Sequence, residues 1–302
     1  MFHPGQAELG YSCSQLLGRK GDMPARSIVT ARQQRLGAEL RKLRERAGLT
    51  AREAAQAAGI AESKISMTEA GRVGVSEERV RYLASQYACD DTEYVDALVA
   101  MANERVRGWW AECRGQLPPS FLDLAELEHH AARLRSFESV HIPGLLQTEE
   151  QVRAMYAASV SGFSEEQVDA RTEFRLRRQG VLDKVRYEVV IHEAALRVRV
   201  ADRKVARRQL LHIVEQSERA QVTLRVVPFD LDGFTRIGNA MLIAGGPVEQ
   251  LDTVLLDSAH GGTFLDAEAQ LSRYRRVIDD VERAALGVVE SRDFVHRLAQ
   301  HT

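Results

Sequence analysis

RLGAELRKLRERAGLTAREAAQAAGIAESKISMTEAG, residues 35–71, decides how the chain is read. Leu36, Leu40 and Leu43 fall at i, i+4 and i+7, one apolar stripe on a helix, while Arg35, Arg41, Lys42, Arg44 and Arg46 take the rest of its circumference. Gly48 closes that helix, because glycine enters the left-handed conformation without a Cβ clash. Thr50 then caps a second, short helix, and Glu53 three residues later completes a capping box. Ala54, Ala55 and Ala58 make this second helix small enough for a neighbour to approach closely. Gly59 makes the turn and Ile60 re-enters the core. A third helix over residues 61–70 turns Ile65 inward and leaves Glu62, Ser63, Lys64, Ser66 and Met67 outside. Helices folded on one small core with a polar face on the third describe a helix-turn-helix, whose third helix enters the major groove of double-stranded DNA.

Working outward, residues 1–30 carry Gly, Pro and Ser without sustained periodicity and read as a flexible tail, with translation from Met1 or from Met23 left open. Beyond Gly71 the chain restarts at Ser76, a cap followed by acids in the first turn. Val80, Leu83, Ala84 and Tyr87 then form an inward stripe. A fifth helix follows Asp90 and Asp91, with Tyr94, Val95, Leu98, Val99 and Ala102 apolar. Five helices over residues 31–108 make one compact domain, and a chain of 302 residues leaves 109–302 for a second.

The formal net charge is only −2, but from Arg32 to Arg72 nine Lys and Arg face five Asp and Glu, a local surplus of four that suits phosphate contacts. Cys13, Cys89 and Cys113 are far apart and odd in number, which argues against a disulfide framework or a Cys-rich metal site and for a reducing compartment. No signal peptide is visible and no apolar run reaches the roughly 18 residues of a membrane span, so a soluble cytoplasmic protein is expected.

The run RLGAELRKLRERAGLT, then SKIS, then GRVGVSEERVRYLASQYACDD, then NERVRGWW, resembles the lambda-repressor-like, Xre-type helix-turn-helix transcriptional regulators abundant in actinobacteria. The resemblance extends through HIPGLLQTEEQVRAMYA (141–157), RLRRQ (175–179), IHEAALR (191–197), VTLRVVPF (222–229) and ESRDF (290–294), as in a subgroup with a large C-terminal domain of unassigned function. It implies a homodimer on DNA half-sites and, because such regulators are often encoded beside a very small protein, a docking partner. Departures lie in the DNA face. Ala61 stands where relatives carry a capping serine, Met67 where they carry arginine, Thr68 where they carry an apolar residue, and Ala51 where glutamine is common. Loss of an arginine contact removes about 1 to 3 kcal/mol of base discrimination.

In the C-terminal half, Trp109 and Trp110 read as anchors for the linker or as a stacking surface. Leu127, His130, Leu134 and Phe137 suggest a helix ending before HIPGLLQ. Thr148 with Gln151 and Ser164 with Gln167 have capping-box spacing, and the helix after Ser164 ends in the basic run Arg175, Arg177, Arg178, read as a solvated or salt-bridged end or as further DNA surface. Strand-like runs follow at 187–191, 222–227, 240–244 and 253–257, with helical stretches at 204–219, 266–286 and 291–300. The expected fold is therefore a five-helix domain followed by an α+β domain with one sheet of about four strands.

No metalloprotease, phosphate-loop, dinucleotide or nucleophile-elbow motif is present. His129 and His130 are adjacent and point about 100° apart on a helix, a poor metal pair. His192 and Glu193 end a strand, as an acid/base pair or as a helix cap. Asp257, Ser258 and His260 precede Gly261 and Gly262, and strand ends followed by glycine loops line pockets. The expectation is a sequence-specific DNA-binding regulator without catalytic residues, metal or cofactor. Glu62, Ser63, Ser66 and Met67 would touch bases and Arg41, Arg44, Lys64 and Arg72 phosphates, while His192, Glu193, Asp257 and His260 would line a pocket for a ligand or partner. The alternatives are an enzyme acting on a nucleotide or small molecule, and an antitoxin-like autorepressor.

Overall fold

The computed structural model describes residues 29–104, 108–232, 234, 240–257 and 261–302. The tail over 1–28, both candidate start methionines, Cys13, Ser258 and His260 lie outside the described residues.

Five helices open the described chain: α1 (Ala31–Arg46), α2 (Ala51–Ala57), α3 (Glu62–Glu69), α4 (Glu77–Gln86) and α5 (Thr92–Asn103). Local chemistry sets most of their ends. Thr30 and Gln33, and Thr50 and Glu53, form complete capping boxes, while Ser76 and Asp91 cap α4 and α5 through their side chains. Gly48 and Gly59 adopt φ of +72° and +63° at the first two turns. Leu36, Leu40, Leu43, Ile65, Val80, Leu83 and Leu98 meet in one core. Val248 from the C-terminal half packs into the same core.

Next come α6 (Pro119–His130), β1 (Arg133–Glu138), α7 (Glu149–Ala157), α8 (Glu165–Gln179), β2 (Arg186–His192), α9 (Glu193–Arg197), α10 (Arg203–Gln216) and β3 (Val222–Val227). Then β4 (Met241–Gly245), β5 (Thr253–Leu256), β6 (Thr263–Leu265), α11 (Glu268–Ala284) and α12 (Val288–His301) close the chain. The sheet has six strands in the order β3-β2-β1-β4-β5-β6, not about four. β1, β2 and β3 are parallel, and β4, β5 and β6 add antiparallel neighbours on the other side of β1.

The missed strands have physical reasons. α6 stops at His130, Ala131 is extended, and Leu134 and Phe137 belong to β1 rather than to a continuing helix. Three residues apart, they point to opposite faces of a strand. Because both faces are covered, by α10 and α12 on one side and α11 on the other, both residues are buried, and their spacing mimics a helical stripe. β6 is a three-residue edge strand without a fully buried residue. Trp110 is buried against Leu117, Leu122 and Phe174, the anchoring role, while Arg177 lies over the Trp109 ring at 4.6 Å. Ser164 and Gln167 form a complete box. Thr148 does cap α7, but its own amide donates to Gln209 Oε1 at 2.8 Å instead of to Gln151.

Candidate nucleic-acid interface and a cavity beside the sheet

On α3, Ile65 is buried while Glu62, Ser63 and Ser66 are exposed and Lys64 and Met67 half-buried. The helix begins at Ala61 without a side-chain cap, the direct consequence of alanine at that position. Gly37 on α1 makes the close seat for α3: a Cβ there would lie 2.3 Å from the Glu69 carbonyl oxygen. Arg41 is exposed and pairs with Glu45 at 2.7 Å, a contact of little energetic weight that a phosphate can replace. Arg72 is exposed.

Arg44 is not available to a phosphate. It is buried, its Nε and Nη2 gripping both Glu69 oxygens at 2.6 and 2.8 Å and its Nη1 donating to the Leu49 carbonyl at 2.6 Å. It ties α1 to α3 and positions the helix that would read DNA. Sequence periodicity places Arg44 off the apolar stripe but cannot reveal that a carboxylate from another helix waits there.

Arg35 is also buried, and its partners lie across the chain. Its Nη1 donates to the Asp252 carbonyl and Thr253 Oγ1 at 3.0 and 3.2 Å, its Nη2 to the Gln250 carbonyl at 2.7 Å, and its Nε pairs with Glu39 at 2.8 Å. Tyr94 donates to the other Glu39 oxygen at 2.6 Å, and Lys42 reaches the Asp266 carbonyl at 2.9 Å. One edge of α1 is thus the junction between the helical unit and the sheet. A second tie is the Ala31 amide, which donates to Asp123 Oδ1 on α6 at 3.1 Å.

Of the residues grouped as a C-terminal pocket, the described ones, His192, Glu193 and Asp257, do not come together. His192 is the cap of α9, its Nδ1 accepting the Ala194 amide at 3.2 Å with its ring against Phe229 and Phe234. Glu193 is buried, held by Arg197 at 2.5 Å and by the Phe229 amide at 2.8 Å. Both serve the β2–α9 turn. Of the three described residues of that group, Asp257 faces the cavity described next.

At the carboxyl ends of β1 and β5 lies a cavity of about 600 Å³, open to solvent on one side. This is where open α/β sheets place ligands, beside the strand at which the sheet's direction of growth reverses. β1 contributes Ser136 and Glu138, the loop after it His141 to Leu145, α6 Leu124 and Glu128, α8 Arg175 and Arg178, and the end of β5 Asp257. Arg178 is neutralised by Glu128, which it grips from Nε and Nη2 at 2.8 and 2.6 Å. Ser136 Oγ and the Tyr187 hydroxyl share a hydrogen bond of 2.8 Å. Gln147 ties the wall together, donating to the Ile142 carbonyl at 2.7 Å while accepting from Arg175 at 2.7 Å. Burial, together with the nearby charge of Asp257, pushes the Glu138 carboxyl up to about 8, with Arg175 opposing. HIPGLLQ and RLRRQ, separated in sequence, therefore form two walls of one space. Reading 133–138 as helix hid Glu138, and the basic run at 175–178 is a salt-bridged end, Arg177 to Glu112 and Arg178 to Glu128, whose Arg175 and Arg178 also wall the cavity.

No helix among the described residues is long and apolar enough to cross a membrane. A family model described as a helix-turn-helix domain matches residues 35–97, and one described as a domain of unknown function (DUF5753) matches residues 121–297. No curated protein and no solved structure matches the chain. With more than half of its length inside the second match and a helix-turn-helix domain ahead of it, the chain belongs to the DUF5753 family.

Proposed function

We propose that this protein is a sequence-specific, cytoplasmic transcriptional regulator of the lambda-repressor-like kind, acting as a homodimer with α3 in the major groove of double-stranded DNA. The observation that carries the reading is the first turn of α3. Glu62, Ser63 and Ser66 are exposed there while Ile65 anchors the helix and the Arg44–Glu69 clamp fixes its pose. Base contacts fall to Glu62, Ser63, Ser66 and Met67, and phosphate contacts to Arg41, Lys64 and Arg72. Selection of bound sequences from random duplex DNA by the purified protein should yield one motif whose affinity falls as salt rises. Ser63→Ala should alter the preference at one position, and Lys64→Ala should weaken all sequences alike. Binding that is absent or insensitive to salt would reject the reading.

The C-terminal domain is read as a non-catalytic sensor, the cavity of about 600 Å³ being of a size for a small ligand. An antitoxin-like role would instead show as co-purification of a small protein with the full chain.

A further inference from the structure

The charges of the cavity do not close on themselves. Arg175 donates from Nη1 to Gln147 Oε1 and from Nη2 to the Tyr156 hydroxyl, each at 2.7 Å, so both acceptors are neutral, and its Nε has no acceptor. Arg178 offers no help, because Glu128 already holds it by two bonds. On the other wall Glu138 and Asp257 line the same space, close enough to disturb one another, and Arg175 is the cation that acts on Glu138 from across the cavity. Charges drawn out of water are costly unless paired, and here the half-buried Arg175 and Glu138 and the exposed Asp257 are held apart around a space of ligand size.

A simple anion would meet Arg175 but be repelled by the charge of Asp257. A simple cation would meet the reverse. A molecule bearing both groups satisfies both walls, and Leu124, Val140, Leu145 and Met155 supply apolar surface for its body.

We propose that the cavity binds a zwitterion of the amino-acid class, a free amino acid or short peptide, with its carboxylate on Arg175 and its ammonium group at Glu138 and Asp257. The assignment rests on the reading of the C-terminal domain as a ligand sensor and gives that ligand its chemistry. Glu138 carries its proton at neutral pH in the empty cavity, facing Asp257, Arg175 and Tyr187, with His141 and the Glu128–Arg178 pair on the remaining walls. Seating an ammonium group there releases that proton, so binding tightens as pH rises toward about 8.

The test is a thermal-shift and calorimetric titration of the full chain with three probe sets: the free L-amino acids with glycyl dipeptides, their N-acetyl derivatives, and their C-terminal amides. At least one zwitterion should give a saturable rise in Tm of a few degrees. Its N-acetyl and amide forms should bind about tenfold or more weakly, each having lost one charged contact. Asp257→Asn, at the exposed rim, should weaken the zwitterion while narrowing its advantage over the N-acetyl form. Arg175→Lys should narrow its advantage over the amide, with Glu138→Gln as a second variant should Arg175→Lys fail to fold. Equal binding of the acetylated or amidated probes would overturn the zwitterion assignment and keep the sensor reading. Saturable binding by none of the three sets would overturn both.

Discussion

A single carboxyl group shows how position on a strand decides charge. Glu138 is the last residue of β1, two positions after Ser136 on the same face, so it points into the cavity instead of into solvent. Burial and the field of Asp257 push it up to about 8, against about 4.3 for an unfolded glutamate. Between those values the folded chain holds a proton that the unfolded chain has released, so stability falls as pH rises from about 4 to about 8 and levels off above. Glu138→Gln keeps the shape and removes the titration. Its unfolding free energy should match the native chain near pH 4 and exceed it increasingly toward pH 8, by up to a few kcal/mol, each tenfold change in proton affinity amounting to about 1.4 kcal/mol. Denaturant unfolding across that range checks this, and parallel pH profiles for the two proteins would contradict it. Arg175 and Tyr187 face the same group and remain in both proteins, so the comparison isolates Glu138.

Among the elements, α3 depends most on a neighbour. Gly37 lies under it on α1, and a Cβ would come within 2.3 Å of Glu69 O and 2.7 Å of Thr68 O, both backbone atoms that cannot rotate away. Gly37→Ala should therefore push α3 outward, cost about 1 to 3 kcal/mol as overpacking does, and reduce DNA affinity by more than the lost stability alone would. Guanidinium-chloride unfolding alongside a gel-shift titration separates the two effects. Unchanged binding would show that the seat of α3 is slack. The helical unit is legible in sequence because its determinants are local: Thr50 with Glu53, Gly48, Gly59, Ser76 and Asp91 each act within a few residues. The sheet is less legible. β2 and β3 read as apolar runs, whereas β1 alternates poorly because both of its faces are covered, and β6 is too short to leave a pattern. The cavity was half legible, since Asp257 stood out at a strand end, but its partners Glu138 and Arg175 come from elements far apart in sequence. His192 and Glu193 looked alike to Asp257 in sequence and serve a turn elsewhere, a distinction only tertiary packing draws.

At the scale of the whole molecule, the DNA face and the cavity share two short mechanical links. β5 starts at Thr253, one of Arg35's acceptors, and ends beside Asp257, a span of about 13 Å for four residues. α6 carries Asp123, which holds the start of α1, and five residues later Glu128 in the cavity wall, about 7.5 Å along the helix. Rigid elements that touch both sites let a ligand that reshapes one bias the other, and any such bias is reciprocal. A zwitterion that seats at Asp257 should change operator affinity, and operator DNA should change zwitterion affinity by the same factor, commonly 5- to 150-fold in coupled systems. Arg35 is the place to cut the link, because it closes the junction with three bonds to the sheet domain and one ion pair within α1. Arg35→Ala leaves the carbonyls of Gln250 and Asp252 without their donor and should cost about 3 to 5 kcal/mol, as removal of one partner of a buried charged pair does. With this junction weakened, and Val248, Lys42 and Ala31 left to hold it, unfolding should become less cooperative than in the native chain, and the reciprocal factor should fall toward unity while each site keeps most of its own affinity. Calorimetric titration of zwitterion in the presence and absence of operator, for the native chain and for Arg35→Ala, measures all four corners of that cycle. A factor that survives the substitution would route the coupling through the Ala31–Asp123 contact on α6 instead, which Asp123→Asn, Asp123→Ala and the double variant with Arg35→Ala would then resolve.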